Sequence, residues 1–342
     1  MKILKFVGSP DKIAAQIGEF YKAEHRVMNN THISRSIFRE QLKIYQKYFP
    51  EIIAELKIIA QICGFDEEQF LASSLAENLN MKNIGWRESC TIFGVASGDK
   101  LFVGRNYDWV AQARDAFHVY DVAIDGRCQW RGVSDMNTYD VQHKSSKHWS
   151  FAPEDAINEK GLFIGLTAAH VTKMNYGLGS TDLIRLVAET CATVSEALAL
   201  LKKVPWSRPK NYFIADVHGD MAVISGAYGI KEIRRPENGI LIQTNHFVGQ
   251  KLKRYDEIIK NPTHTTFLRY HEAYREIMKK HDDKFNIRDV RRILRDTPYV
   301  YTNEGLHRQT IWSILMEMTE KRYKMIYDTA IGETEYDMSL KD

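Results

Sequence analysis

The chain has 342 residues, 44% of them hydrophobic and 27% charged, with 20 Gly, 8 Pro and 4 Cys. That balance excludes general disorder, a collagen-like repeat and a disulfide scaffold. A net charge of +3 leaves no electrostatic footprint for nucleic acid.

No apolar run approaches the roughly 18 residues of a membrane span. The apolar stretch after Met1 is broken by Lys5 and stops at Gly8, too short for a signal-peptide core. The expectation is a cytoplasmic protein with reduced thiols and no membrane partner. There is no CxxC spacing, and His271-Glu272 lacks a second histidine four residues on, so neither a metal nor a cofactor is expected.

Residues 1–80 read as helices. Ser9-Pro10 is a helix start, with Ile13, Ile17, Phe20 and Tyr21 at helical spacing. Phe38, Leu42, Tyr45 and Phe49 repeat the pattern. Pro50 opens a third helix that Gly64 stops, and Asp66 caps a fourth. Periodicity is lost over 80–88, and β-pattern follows. TIFGVA (91–96) and LFVGRN (101–106) flank a turn, and Asp125-Gly126 separates HVYDVAI (118–124) from RCQWRGV (127–133). GLFIGLTAAHV (161–171) reads as a buried strand. A helix is expected from Ser180, and Thr193 with Glu196 forms a capping box before another. YFIADV (212–217) and MAVISG (221–226) make a further hairpin, 265–280 and 287–296 are helical, and 310–318 with 323–330 close the chain as a hairpin. So many hairpins argue against a parallel doubly wound sheet and for an antiparallel sheet with helical layers, an α+β protein.

Cys90 stands where helical pattern gives way to strand pattern. If 91–96 and 101–106 pair, the returning strand brings Arg105 and Asp108 beside Cys90: a nucleophile, a permanent cation and a carboxylate. Tyr107, Trp109, Phe117, Tyr120, Trp130 and Trp149 cluster in sequence around these hairpins as candidates for an apolar acyl pocket. Cys63, Cys128 and Cys191 carry no comparable neighbours.

Cys90-Thr91 with Gly104-Arg105-Asn106-Tyr107-Asp108-Trp109 resembles the start of the mature chain in the choloylglycine hydrolase and isopenicillin N acyltransferase group of N-terminal-nucleophile (Ntn) enzymes. NEKGL (158–162), TNHF (244–247) and TTFLRY (265–270) resemble further segments of that group, in its order. GSPDKIAAQIGE (8–19) and ELKIIAQICG (55–64) resemble the pro-region of the acyltransferase branch. One departure is Ser89, where that branch commonly has Gly.

The resemblance implies an αββα sandwich, two stacked and mainly antiparallel sheets between helical layers, preceded by a helical pro-region. It implies self-cleavage at Ser89-Cys90 into 1–89, the small subunit, and 90–342, the catalytic domain, which stay associated; a homo-oligomer stays open. The freed α-amine of Cys90 would then serve as base for its own thiol. By the same resemblance Arg105 steadies the thiolate, Asp108 holds the α-amine, Asn245 donates to the oxyanion, and Arg269 completes the network; Thr167 matches a variable polar position. The implied activity is hydrolysis or formation of a linear amide through a Cys90 thioester on a small N-acyl substrate, an acyl-donor thioester being one form of it. The alternatives are an unprocessed binding protein on the same fold, or a Cys–His peptidase using His170 or His246.

Overall fold

In the computed structural model the chain forms two stacked sheets flanked by helices. The structure describes residues 1–25, 28, 33–80, 89–110, 114, 117–135, 151–171, 175–260, 265–280, 284–297, 302–303, 306–329 and 332–340. The eight-stranded sheet runs in the order β1 (Lys2–Gly8), β4 (His118–Ile124), β5 (Trp130–Ser134), β6 (Asp155–Asn158), β7 (Phe163–Ala168), β8 (Lys210–Ala215), β9 (Met221–Ala227), β10 (Ile230–Arg234). The other sheet runs β11 (Ile240–Gln243), β2 (Ser89–Ser97), β3 (Lys100–Val110), β13 (Leu306–Glu317), β14 (Arg322–Thr329), β15 (Gly332–Asp337), with β12 (Thr302–Asn303) beside β13. All of these pairings are antiparallel except β1–β4.

Strand alternation sorts the core into layers. Cys90, Ile92, Tyr107, Trp109 and Trp312 join Phe163, Phe213 and Met221 between the sheets. Phe93, Val95 and Phe102, one position out of phase, face the helices Thr266–Met278 and Ile287–Asp296 through Ala273, Ile277, Val290 and Ile293. Opposite, Tyr120, Val122, Ile214 and Ile224 are covered by the helices Ser180–Thr190 and Val194–Lys203 and by the N-terminal helices. The order is helix, sheet, sheet, helix, as the family resemblance implied.

The N-terminal helices are α1 (Pro10–Ala23), α2 (Arg35–Tyr48), α3 (Pro50–Cys63) and α4 (Glu67–Asn80). Their ends follow the expected chemistry. Ser9 and Asp66 side chains accept from the N–H groups of Lys12 and Gln69, and Gly64 ends α3 at φ +73°, where a Cβ would be strained. At Thr193 the box is offset: the hydroxyl accepts from Glu196 N–H, but Glu196 reaches back to the Ala192 N–H, one residue before the cap.

One expectation is corrected. Residues 2–8 are a strand, not part of a helical region, and lie parallel to β4 as the sheet's edge. Only Phe6 of β1 is buried, which is why its lysine-interrupted pattern carried no strand signal. The segment 1–80 is thus built into the sheet, and buried polar contacts bind it further. Arg185 Nη1 and Nη2 donate to Glu55 of α3 at 2.8 and 2.6 Å, and its Nε donates to Glu189 at 2.6 Å. Tyr45 donates to Asp182 at 2.5 Å, and Gln41 both donates to and accepts from the Gly177 backbone. Among the described residues no helix is long and apolar enough to cross a membrane.

Removing the Arg185 guanidinium strands two buried carboxylates. Arg185→Ala is expected to lower the unfolding free energy by about 3–5 kcal/mol, read by denaturant titration.

Candidate active site

β2 and β3 pair in the anticipated register: Thr91 opposite Asn106, Ala96 opposite Leu101, Cys90 opposite Tyr107 and Ser89 opposite Asp108. Gly98, at φ +59°, turns the hairpin. The Cys90 side chain therefore faces the space between the sheets with Arg105 and Tyr107, while Asn106 and Asp108 face the helical side.

Two residues from distant segments grip the Cys90 backbone. The Cys90 N–H donates to Asn245 Oδ1 at 2.5 Å, and Arg269 Nη1 donates to the Cys90 carbonyl. Arg269 also donates to Thr91 Oγ1 at 3.0 Å and to Asn245 Oδ1 at 2.9 Å. With two donors on one side, the Asn245 amide orientation is determined: its oxygen faces Cys90 and its Nδ2 faces the Ala168 carbonyl at 3.4 Å. Nδ2 thus has a hydrogen to offer an incoming oxygen. Asn245 follows β11, and Arg269 lies in the first turns of the helix Thr266–Met278, here α8 after α5 (Ser180–Thr190), α6 (Val194–Lys203) and α7 (Gln250–Lys253); both are fully buried.

Arg105 crosses between the sheets. Its Nε donates to both oxygens of Asp155 on β6, at 2.8 and 3.0 Å; Nη1 donates to the Asn106 carbonyl and Nη2 to that of Leu166. Burial opposes this cation, but Asp155 and the Cys90 sulfur together outweigh it and hold the guanidinium charged. Its plane lies 5.1 Å over the Tyr107 ring, which stacks on Trp312 at 3.9 Å and 3°. Trp312 Nε1 donates to Asp155 at 3.0 Å, closing the loop. A Cβ on Gly165 would collide with the Asp155 carboxylate, so glycine there makes its room.

Asp108 is supported on one side only. Oδ1 accepts from Thr310 Oγ1 at 2.7 Å, while Oδ2 is buried without a hydrogen-bond partner. Burial pushes its carboxyl up to about 6, against the pull of Arg269, Thr310 and Arg105.

The remaining sequence candidates divide. The Thr167 hydroxyl is committed, donating to the Thr244 carbonyl at 2.7 Å and accepting from Asn211 at 3.1 Å, so it props the turn before Asn245. Tyr107 donates to Asp135 at 2.7 Å, and Trp109 and Phe117 lie in the inter-sheet core. Tyr120 and Trp130 do not join them: they pack on Phe151 at the far face of the eight-stranded sheet, because β4 and β5 turn those positions outward to the helices. Trp149 lies outside the described residues. His246 turns Nδ1 to the Thr244 and Thr266 hydroxyls, and His170 is buried, with its backbone carbonyl receiving the Glu257 N–H. The sequence reading missed Asp155, Trp312, Thr310 and Thr266. The one local hint was Asp155 three residues ahead of NEKGL.

The family model for acyl-coenzyme A:6-aminopenicillanic acid acyl-transferase matches residues 95–331, a span that contains Arg105, Asp108, Asn245 and Arg269 and opens just after Cys90. Among solved structures, penicillin V acylase from Agrobacterium tumefaciens superposes with a TM-score of 0.53 at 17% identity, over 73% of this chain and 86% of that one. A variant of conjugated bile acid hydrolase from Clostridium perfringens gives 0.53 at 12% identity, over 74% and 94%. A second variant of that hydrolase gives 0.52 at 13%, over 74% and 93%. These likenesses are of fold, that of the Ntn hydrolases. No curated protein matches the sequence. With most of its length inside the family match, the chain belongs to the acyl-coenzyme A:6-aminopenicillanic acid acyl-transferase family, on the choloylglycine hydrolase type of Ntn fold.

Proposed function

We propose that the chain is a self-processing thiol enzyme that breaks or forms a linear amide C–N bond through an acyl-thioester on Cys90. The observation that carries this reading is the convergence on one residue: Asn245 and Arg269 grip the Cys90 N–H and carbonyl, while Arg105 faces its sulfur.

In the first reaction Cys90 Sγ attacks the Ser89 carbonyl. The C–N bond breaks as the C–S bond forms, the sulfur's proton passes to the departing nitrogen, and water then opens the thioester. The products are 1–89 and 90–342, the second beginning with a free α-amine. That amine takes the thiol proton for the second reaction, in which Sγ attacks a substrate amide or thioester carbonyl. Arg105 stabilises the thiolate, and Asn245 Nδ2 donates to the oxyanion. The tetrahedral adduct expels its leaving group, which receives the proton, and water or an amine takes the acyl group from sulfur.

Asp108 gives the first cut a driving force. Its buried, half-supported carboxyl stands opposite Ser89, and an ammonium released there supplies a charged donor for the unpartnered Oδ2. The β1–β4 ladder, Arg185–Glu55 and Tyr45–Asp182 support the retention of 1–89 after cleavage. A small N-acyl compound is the substrate class, with no nucleic acid, membrane, metal or cofactor required.

Intact mass under denaturing conditions tests the reading. The wild type is expected to give two species, with an acyl adduct on the 90–342 fragment after exposure to N-acyl compounds. Cys90→Ala gives one 39.6 kDa species and no adduct; two fragments from that variant, or a single inert wild-type species, would overturn the proposal.

The Arg105 support is testable separately. Asp155→Asn, and Gly165→Ala by crowding, are expected to slow Cys90 acylation by about 10²-fold through misplacement of the guanidinium.

Asp108 predicts a pH signature in the uncut Cys90→Ala protein. Because its folded pKa is raised, the native state binds the proton more tightly than the unfolded chain. The resulting stability is present below the ordinary carboxyl range and is lost as pH rises through about 6, amounting to about 3 kcal/mol. Asp108→Asn in that background should remove this part of the slope in urea melts at a series of pH values.

A further inference from the structure

His246 is the one residue of the TNHF segment (244–247) with a titratable ring, and no chemical step above uses it. It is buried with Thr244, Asn245 and Thr266, and its ring packs on Phe267 at 4.5 Å and Tyr270 at 5.4 Å. Its Nδ1 lies 2.9 Å from Thr266 Oγ1 and 3.0 Å from Thr244 Oγ1, and the two hydroxyls are 2.9 Å apart. Thr266 Oγ1 also receives the Asn245 backbone N–H at 2.8 Å, and Thr244 Oγ1 donates to the Thr266 carbonyl at 3.1 Å.

Counting hydrogens assigns the ring's proton. The triangle of Nδ1 and the two hydroxyls has three short contacts. With Nδ1 bare, two hydroxyl protons must fill all three, so one contact sets lone pair against lone pair at 3.0 Å or less. With a proton on Nδ1, three protons are present and each short contact is served: Nδ1–H is shared between the Thr266 and Thr244 oxygens, Thr266 donates to Thr244, and Thr244 donates on to the Thr266 carbonyl. The ring is then the head of a donor chain whose first acceptor is the Thr266 hydroxyl that holds Asn245.

That hydroxyl sits in a consequential place. Thr266 opens α8, and Arg269 lies one turn further on. The same side chain therefore fixes the Asn245 backbone to the helix whose arginine grips the Cys90 carbonyl and the Asn245 oxygen. We infer that His246 is a positioning residue that keeps its proton on Nδ1 and, through Thr266 and Thr244, holds Asn245 and Arg269 in register around Cys90. This rests on the proposed Cys90 chemistry for its kinetic consequence, but not for the hydrogen-bond chain itself.

The first measurement is the tautomer. Two-bond proton–nitrogen correlation spectra of ¹⁵N-histidine-labelled full chain carrying Cys90→Ala, with the His246 signals identified by their loss in His246→Asn, are expected to show a protonated Nδ1. A bare Nδ1 overturns the inference whatever the protein's activity. The second is the rate of self-cleavage, which needs no external substrate. His246→Phe keeps the ring packing and removes the donor; it should slow cleavage about tenfold or more, short of the 10²–10³ for outright loss of an oxyanion donor. His246→Asn, whose amide N–H replaces Nδ1–H, should recover most of that loss, and His246→Gln, whose amide lies where Nε2 was, should not. Thr266→Val should match His246→Phe, with the double variant no slower than either, and serves in its place if the phenylalanine variant does not fold. Wild-type cleavage rates in His246→Phe and Thr266→Val, or an Asn variant as slow as the Phe variant, refute the positioning role. An uncut wild type refutes the Cys90 reading instead, with the tautomer still deciding the chain.

Discussion

A guanidinium with no solvent exposure lies between two apolar sheets, and the geometry of the site is organised by what keeps it there. Burying a charge costs several kcal/mol per ion unless its partner and its hydrogens are all accounted for. Arg105 has its charge partner in Asp155, whose two oxygens take the Nε–H, places a hydrogen on each of two backbone carbonyls, and rests on an aromatic face. The requirement reaches across the sandwich, since Arg105 belongs to one sheet and Asp155 and Leu166 to the other. The distance between the sheets at this point is therefore set by an ion pair, and Gly165 is the adjustment that lets the carboxylate fit.

The second buried carboxylate makes the opposite choice. Asp155 is held by Arg105 and Trp312, whereas Asp108, on the helical face of the other sheet, has one hydroxyl and an idle oxygen. A fully satisfied group rigidifies its surroundings; a half-satisfied one is where a fold holds energy in reserve. The two carboxylates flank Cys90 from its two sides, one fixing the cation near the sulfur and the other facing the Ser89–Cys90 junction.

Much of this was legible from residues alone. The strand pattern and the turn at 97–100 gave the β2–β3 register, which puts Arg105 on the Cys90 face; Asp108 lies next along the same strands but on the helical face. Asn245 and Arg269 were reachable only through resemblance, because nothing local in TNHF or TTFLRY says that either touches Cys90. Asp155, Thr310 and Trp312 were not legible, for a geometric reason. Thr310 and Trp312 are two apart, so strict alternation puts them on one face; a bulge at Ile311 sends Thr310 to Asp108 and Trp312 to Tyr107 and Asp155. A period-two reading has no means of locating such a bulge. The edge strand β1 escaped for a different reason, burying a single side chain.

The bulge in β13 also imposes an order in time. It is supplied by the last part of the chain, yet it completes surroundings that begin at residue 89. Pairings over such separations close late, since loop entropy must be met before their contacts form. While a nascent chain is being extended, Cys90 can be translated and its hairpin formed, but Asp108 lacks its hydroxyl and Asp155 its indole until β13 docks. The surroundings of Cys90 are therefore complete only once β13 has docked, so the site is a product of the closed fold and not of its own hairpin.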